Sequence, residues 1–223
     1  PTQIDLVNLD GSNRRPAVLT FEMVLTYSEY MISPPVTWAA DSSMVWAAIP
    51  PHDALGAPPQ ITTVWQIPVE GSPAVKTAEF QAAPLVGFEL PVSPDTQHLV
   101  YLAETGEQPD IQYELHLAAL DGSSNQILHT APFMDFLSWS PDGQRFAVSV
   151  GNEQALYLGE AAGSFAPAPG SPAGVSDLDW MDEAQFVYVQ TGAGGASLVH
   201  GAVTGTPQVM DSLNGGFIPY SVR

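Results

Sequence analysis

Cysteine is absent from this 223-residue chain, which excludes disulfides, thiolate nucleophiles and cysteine-ligated zinc. Basic residues are almost as scarce. Five Lys and Arg stand against 24 Asp and Glu, for a net charge of −19. A surface of that sign repels phosphate backbones, so nucleic acid is a poor partner, while cations and basic segments are drawn to it. Charged residues total only 13% and hydrophobic residues reach 45%, a balance that supports a buried core rather than disorder. No apolar run approaches the roughly 18 residues of a spanning helix. A sustained 3.6-residue period with caps is also missing, which removes long helices. The chain starts at Pro1 rather than Met, so a further segment is expected upstream, where a signal peptide or lipid anchor would lie.

What is plentiful is turn chemistry: 19 glycines and 21 prolines, a level that suits many short strands. The turns also repeat. A strand ending in Gly followed by Ser or Thr occurs at Leu6–Ser12, Gln66–Ser72, Leu117–Ser123, Leu158–Ser164 and His200–Thr206. The glycines, Gly11, Gly71, Gly122, Gly163 and Gly205, are spaced 60, 51, 41 and 42 residues apart. A second hairpin alternates with the first. Its turns are Trp38-Ala39-Ala40-Asp41-Ser42, Val92-Ser93-Pro94-Asp95-Thr96, Trp139-Ser140-Pro141-Asp142-Gly143 and Trp180-Met181-Asp182-Glu183. Proline presets φ, Asp caps the turn and Gly closes it. Two hairpins per period make four strands, the content of a propeller blade.

The fold expected is therefore all-β, a β-propeller of about five four-stranded blades within a single domain over 1–223. Approximate blades are 1–33 (partial), 34–86, 87–134, 135–175 and 176–212, with 213–223 as a closing strand. It would be either a complete small propeller or the C-terminal part of a larger one. A β-sandwich is the structural alternative, but it does not require two turn signatures in alternation. Trp38, Trp139 and Trp180 recur in register and are expected to pack between blades.

The Ser-Pro-Asp-Gly turn after a Trp-bearing inner strand resembles the TolB-type family of WD40-like propeller repeats, with Trp139–Gly143 the complete copy and degenerate copies over about 36–212. The resemblance implies the fold. Its matching residues build turns and packing and do not identify a ligand.

Motifs for chemistry are few. No Gly-x-Ser-x-Gly elbow, phosphate loop or dinucleotide fingerprint is present, and no Ser-x-Asp-x-Gly-x-x-x-Trp box of a sialidase. His52, His98, His116, His129 and His200 show no metal-ligand spacing. The acidic set is more suggestive. Asp177 and Asp179, two apart on a predicted inner strand, are expected to share a face. With Asp135 and Glu89 at the starts of neighbouring inner strands, they would form a carboxylate-lined channel mouth. Asp177 and Asp179 are the candidate Ca²⁺ ligands, calcium being the one cofactor considered. Tyr27 and Tyr30, in a long loop over Phe21–Ser33, are candidate contact residues.

These readings point to a non-catalytic propeller that binds a protein segment or small ligand. The acidic, lysine-poor composition and the TolB-type resemblance suggest a bacterial cell-envelope location, extracytoplasmic and either periplasmic, secreted or lipid-anchored. The alternatives are a glycoside hydrolase or lyase working through inner-strand carboxylates, and an accessory propeller of an upstream hydrolase domain.

Overall fold

The computed structural model describes residues 2–22, 34–39, 41–53, 61–81, 92–107, 109–170 and 172–213. Among them are seventeen strands and no helix. β1 (Thr2–Leu6) and β2 (Arg15–Phe21) form a two-stranded sheet. β3 (Val36–Trp38), β4 (Met44–Ile49), β5 (Ile61–Pro68) and β6 (Val75–Gln81) form a four-stranded one. β7 (His98–Thr105), β8 (Gln112–Ala119) and β9 (Asn125–Ala131) make a third, and Val92 bridges Leu99 where a first strand would lie. β10 (Met134–Trp139), β11 (Arg145–Val150), β12 (Ala155–Glu160) and β13 (Phe165–Pro167) form the fourth sheet. β14 (Val175–Trp180), β15 (Gln185–Gly192), β16 (Gly195–Ala202) and β17 (Gln208–Leu213) form the fifth.

Every described sheet is an antiparallel meander in chain order. Among the described residues no strand leaves one sheet to join another, as the crossing connections of a sandwich would require. β10 starts at Met134, β14 at Val175, and β17 ends at Leu213. Beyond Leu213 the expected closing strand lies outside the described residues, and so does the loop after residue 22. The chain forms two compact units, one built on β1–β6 with Leu120–Ser123, the other on β7–β17.

Both families of turn have the predicted conformation. The five repeat glycines all take positive φ, from 76° at Gly122 to 122° at Gly71, a region where other residues are strained. In the Ser-Pro-Asp-Gly turn, Ser140 is fully buried. Its Oγ accepts the Arg145 N–H at 2.9 Å and bonds Asp142 Oδ1 at 2.6 Å, while Asp142 Oδ1 accepts the Gln144 N–H. Ser93 and Asp95 repeat this network around His98 and Gln97. There Thr96 occupies the glycine position at φ 57°, an unfavourable place for a β-branched residue. Thr96→Gly is therefore expected to stabilise the protein by about 1 kcal/mol, read as a rise in melting temperature. No rise would mean that Thr96 makes a compensating contact.

Cross-strand volumes explain how the blades share one plan with different residues. Trp139 lies opposite Phe146, and Phe146 opposite Gly159. Trp180, Phe186 and Gly201 repeat the row. Each indole meets its phenyl ring edge-on, at 5.0 and 5.1 Å between centroids. The glycine leaves room for that ring: a Cβ on Gly159 would lie 2.1 Å from Phe146 Cζ. In the second sheet the row reads Trp38, Val45, Ile67, and in the third Val92, Leu99, Ala118. A large middle residue is thus paired with a small third one, and a small middle residue with a large third one. Trp180 packs between the fourth and fifth sheets, Trp139 is half-buried against Phe136 and Phe146 of its own sheet, and Trp38 is 58% exposed. Its neighbour across the strand is Val45 rather than a phenylalanine.

Each unit has its own core. In the first, Leu19, Val45, Ala47, Ile49 and Ile67 are buried together, with Trp65 packed against them. In the second, Ala147 and Leu156 of the fourth sheet pack on Val175, Leu178, Trp180, Phe186 and Tyr188 of the fifth.

Candidate ligand-binding site

The inner strands β10 and β14 lie side by side, tied by the Ser138 hydroxyl donating to the Leu178 carbonyl at 2.8 Å. Both strands are bulged. On β10 the register slips between Phe136 and Ser138, and on β14 between Ser176 and Leu178. The extra residue on β14 is Asp177, in the left-handed region at φ 66°. A bulge leaves one residue unpaired and breaks the two-residue alternation. The expectation that Asp177 and Asp179 share a strand face therefore fails. Ser176 and Asp179, opposite Val189 and Val187, are the residues that share it.

Asp135 and Asp179 lie on corresponding faces of neighbouring sheets. Asp135 pairs opposite Ser149 and lies on the face of Ala147 and Leu156, which packs toward the fifth sheet. Asp179 lies on the opposite face of β14 from Val175, Leu178 and Trp180, the residues that pack toward the fourth sheet. Asp177 remains close enough to Asp179 for its charge to be felt. Tyr27, Tyr30 and Glu89 lie outside the described residues. Among the described residues no group of three or more His, Asp or Glu side chains gathers at cation distance. His116 instead bonds Glu114 and Asn125 and stacks on Tyr101 at 4.6 Å.

Electrostatics nonetheless single out two of the three carboxylates. Most shifted carboxyls are held below their usual range because turn donors stabilise the anion. The Ser12, Ser43 and Ser123 hydroxyls do this for Asp10, Asp41 and Asp121, and the Ala184 N–H does it for Asp182. Asp135 is raised, and burial is the cause. Asp179 is raised as well, by burial first and then by the charge of Asp177. None of Asp135, Asp177 and Asp179 has a side-chain hydrogen-bond donor among the described residues. On the sheet facing Asp135, the Tyr188 hydroxyl and Trp180 indole N–H are buried without a partner among the described residues, a cost normally avoided.

A raised carboxyl has a defined sign for stability. The anion is worse placed in the folded chain than in the unfolded one, so the penalty is full at neutral pH. It disappears as pH falls through the raised folded value and then the unfolded one. Asp135→Asn and Asp179→Asn are each expected to raise the melting temperature near pH 7 and to leave it unchanged below about pH 3. A fall at pH 7 would show that the protein itself satisfies these anions.

A second concavity lies within the first unit, between β2 and the β5–β6 turn, and is lined by Arg14, Arg15, Trp65 and Ser72 among others. Two of the five basic residues are adjacent there, at positions 14 and 15, and only that adjacency is visible in the sequence.

No protein-family model matches the sequence, and no curated protein matches it significantly. Solved structures do. TolB from Acinetobacter baumannii aligns with a TM-score of 0.54 at 14% identity, over 93% of this chain and 48% of that one. The β-propeller domain of the Trilobed protease from Pyrococcus furiosus gives 0.56 at 12%, over 84% and 59%. Oligogalacturonate lyase from Vibrio parahaemolyticus gives 0.62 at 11%, over 94% and 58%. The chain spans about half the length of the Acinetobacter protein. Identities this low carry the fold and leave activity open. With its meander sheets, alternating turns and repeated Trp rows, the chain is a β-propeller of the TolB-like fold.

Proposed function

We propose that this is a non-catalytic binding propeller whose ligand-reading surface is the inner-strand edge of β10 and β14, and that its partner presents cationic or hydrogen-bond-donating groups. The carrying observation is that Asp135 and Asp179 have raised carboxyls and no side-chain donor from the described protein, whereas the shifted turn aspartates are satisfied locally. Both residues are exposed, so their carboxylates are open to a partner, and one that supplies donors stabilises the anions that the protein leaves without a donor. The net charge of −19 steers a basic segment toward such a surface. Calcium is the metal form of the same idea. Asp177 and Asp179 would contribute carboxylate oxygens, and the cation would relieve the repulsion that raises Asp179.

A bacterial envelope location, outside the cytoplasm, fits this reading. Its support is the acidic, lysine-poor composition and the likeness to a TolB fold. Among the described residues no helix is long and apolar enough to cross a membrane. A hydrolase or lyase reading has less support. It needs two carboxylates converging on one bond, whereas Asp135 faces the fifth sheet and Asp179 lies on that sheet's far face. An accessory role beside a hydrolase is favoured only by the likeness to the protease propeller domain.

The test is calorimetry with calcium chloride and, separately, with a tri-arginine peptide. Saturable heat that Asp135→Asn or Asp179→Asn weakens supports the site. Heat indifferent to both substitutions, or no heat with either ligand, rejects it.

A further inference from the structure

We propose that the groove of the first unit binds a small organic carboxylate carried on a flat ring. The groove has a volume of about 700 Å³, and its walls include Arg14, Arg15, Ala17, Trp65 and Ser72.

The first ground is charge. Among the described residues, Arg14, Lys76 and Arg145 each have a carboxylate within 4 Å. Arg15 has none, in a chain with 24 acidic residues. Its Nη1 donates to the Pro68 and Val69 carbonyls, which fixes the side chain without neutralising it. Glu70 feels the Arg15 charge but does not approach it within 4 Å, and its Oε1 accepts the Ser72 hydroxyl. A guanidinium carries five N–H donors. The two carbonyl bonds occupy one nitrogen and leave Nε and Nη2 for an acceptor.

The second ground is the shape of β2. Ile4 pairs with Leu19 and Leu6 with Arg15, so Asp5 alone stands opposite Pro16, Ala17 and Val18. Ala17 is thereby held at φ 54°, a conformation that costs a non-glycine residue stability. The Asp5 carboxylate pins it, accepting the Ala17 N–H at 2.8 Å along with bonds from Arg14 and Gln3. Bulges of this kind commonly border sites, where they re-aim the chain. Here the bulged residues form a groove wall.

The third ground is Trp65. Its indole N–H donates to Thr63 Oγ1 at 2.9 Å, which sets the ring, and its inner side packs on the first unit's core. The half-buried ring also lines the groove, where it offers a stacking surface. A planar guanidinium matches a planar carboxylate. Because only one cation there lacks a carboxylate partner, a single negative charge fits better than the two of a phosphate.

The test is amide NMR of the whole chain titrated with benzoate, benzamide, acetate and inorganic phosphate. Benzoate should shift the Ala17 and Ser72 amides saturably. Benzamide lacks the charge and acetate lacks the ring, so each should bind at least about tenfold more weakly. Arg15→Lys, which keeps the charge and loses the fork, should weaken benzoate about tenfold. The ligand series probes the same contacts without a mutation, so the outcome does not depend on how that variant folds. Absence of saturable shifts at these amides, equal binding of benzamide or acetate, or phosphate binding more tightly than benzoate would each overturn the proposal.

Discussion

Phe146→Ala is expected to cost about 3–5 kcal/mol and to give a large fall in melting temperature. Phe146 is fully buried, lies edge-on to Trp139 and fills the space over Gly159. Truncation would empty that space, and the sheet cannot collapse without moving the inner strand. The reverse change tests the same geometry. Gly159→Ile should cost about 1–3 kcal/mol, because its first side-chain carbon would fall 2.1 Å from the Phe146 ring. Joining Phe146→Val to Gly159→Ile recreates the Val45 and Ile67 pair of the second sheet. The double variant should therefore be more stable than the sum of the singles implies, by about 1–3 kcal/mol. Denaturant melts of the four proteins decide it. Additivity within about 0.5 kcal/mol would mean that the two positions do not exchange volume.

The second large effect is expected at Ser140. Removing its hydroxyl leaves the Arg145 N–H without its acceptor beside a fully buried residue, whereas the exposed Asp142 carboxylate keeps the Gln144 N–H. Ser140→Ala should cost about 2 kcal/mol, the penalty for a buried donor left unpaired. Asp121→Ala, in an exposed Asp-Gly turn where Asp121 accepts the Ser123 N–H, should cost clearly less, because water replaces the lost acceptor. Equal losses would show that the Ser-Pro-Asp-Gly turn is no more than a surface loop. The turn also connects neighbouring sheets of the second unit. Gln144 donates to Asp95 at 3.2 Å, and Arg145 donates to the Glu183 carbonyl at 2.9 Å. Gly143 sits too close to Asp95 to accept a Cβ. A substitution there strains φ and pushes the two turns apart.

The candidate site was only partly legible in the sequence. Asp135 and Asp179 were found because they fall on inner strands, and strand periodicity is local. That a bulge takes Asp177 off the face of Asp179 was not visible, because a bulge depends on how two strands pair and on what packs beside them. The same holds for Arg15. In the sequence it is one of two adjacent arginines. In the fold the Pro68 and Val69 carbonyls, more than fifty residues away, anchor it without neutralising it.

The sequence alone determined the class of fold, the alternation of two hairpins and the conformation of their turns. Those features rest on short-range physics, namely glycine at positive φ, proline before an aspartate cap, and two-residue alternation. Tertiary structure decided which tryptophans are covered, which aspartates have no protein donor among the described residues and where an arginine lacks a carboxylate partner. Each of those depends on side chains brought together from distant strands, whose volumes and charges balance only once the sheets have packed.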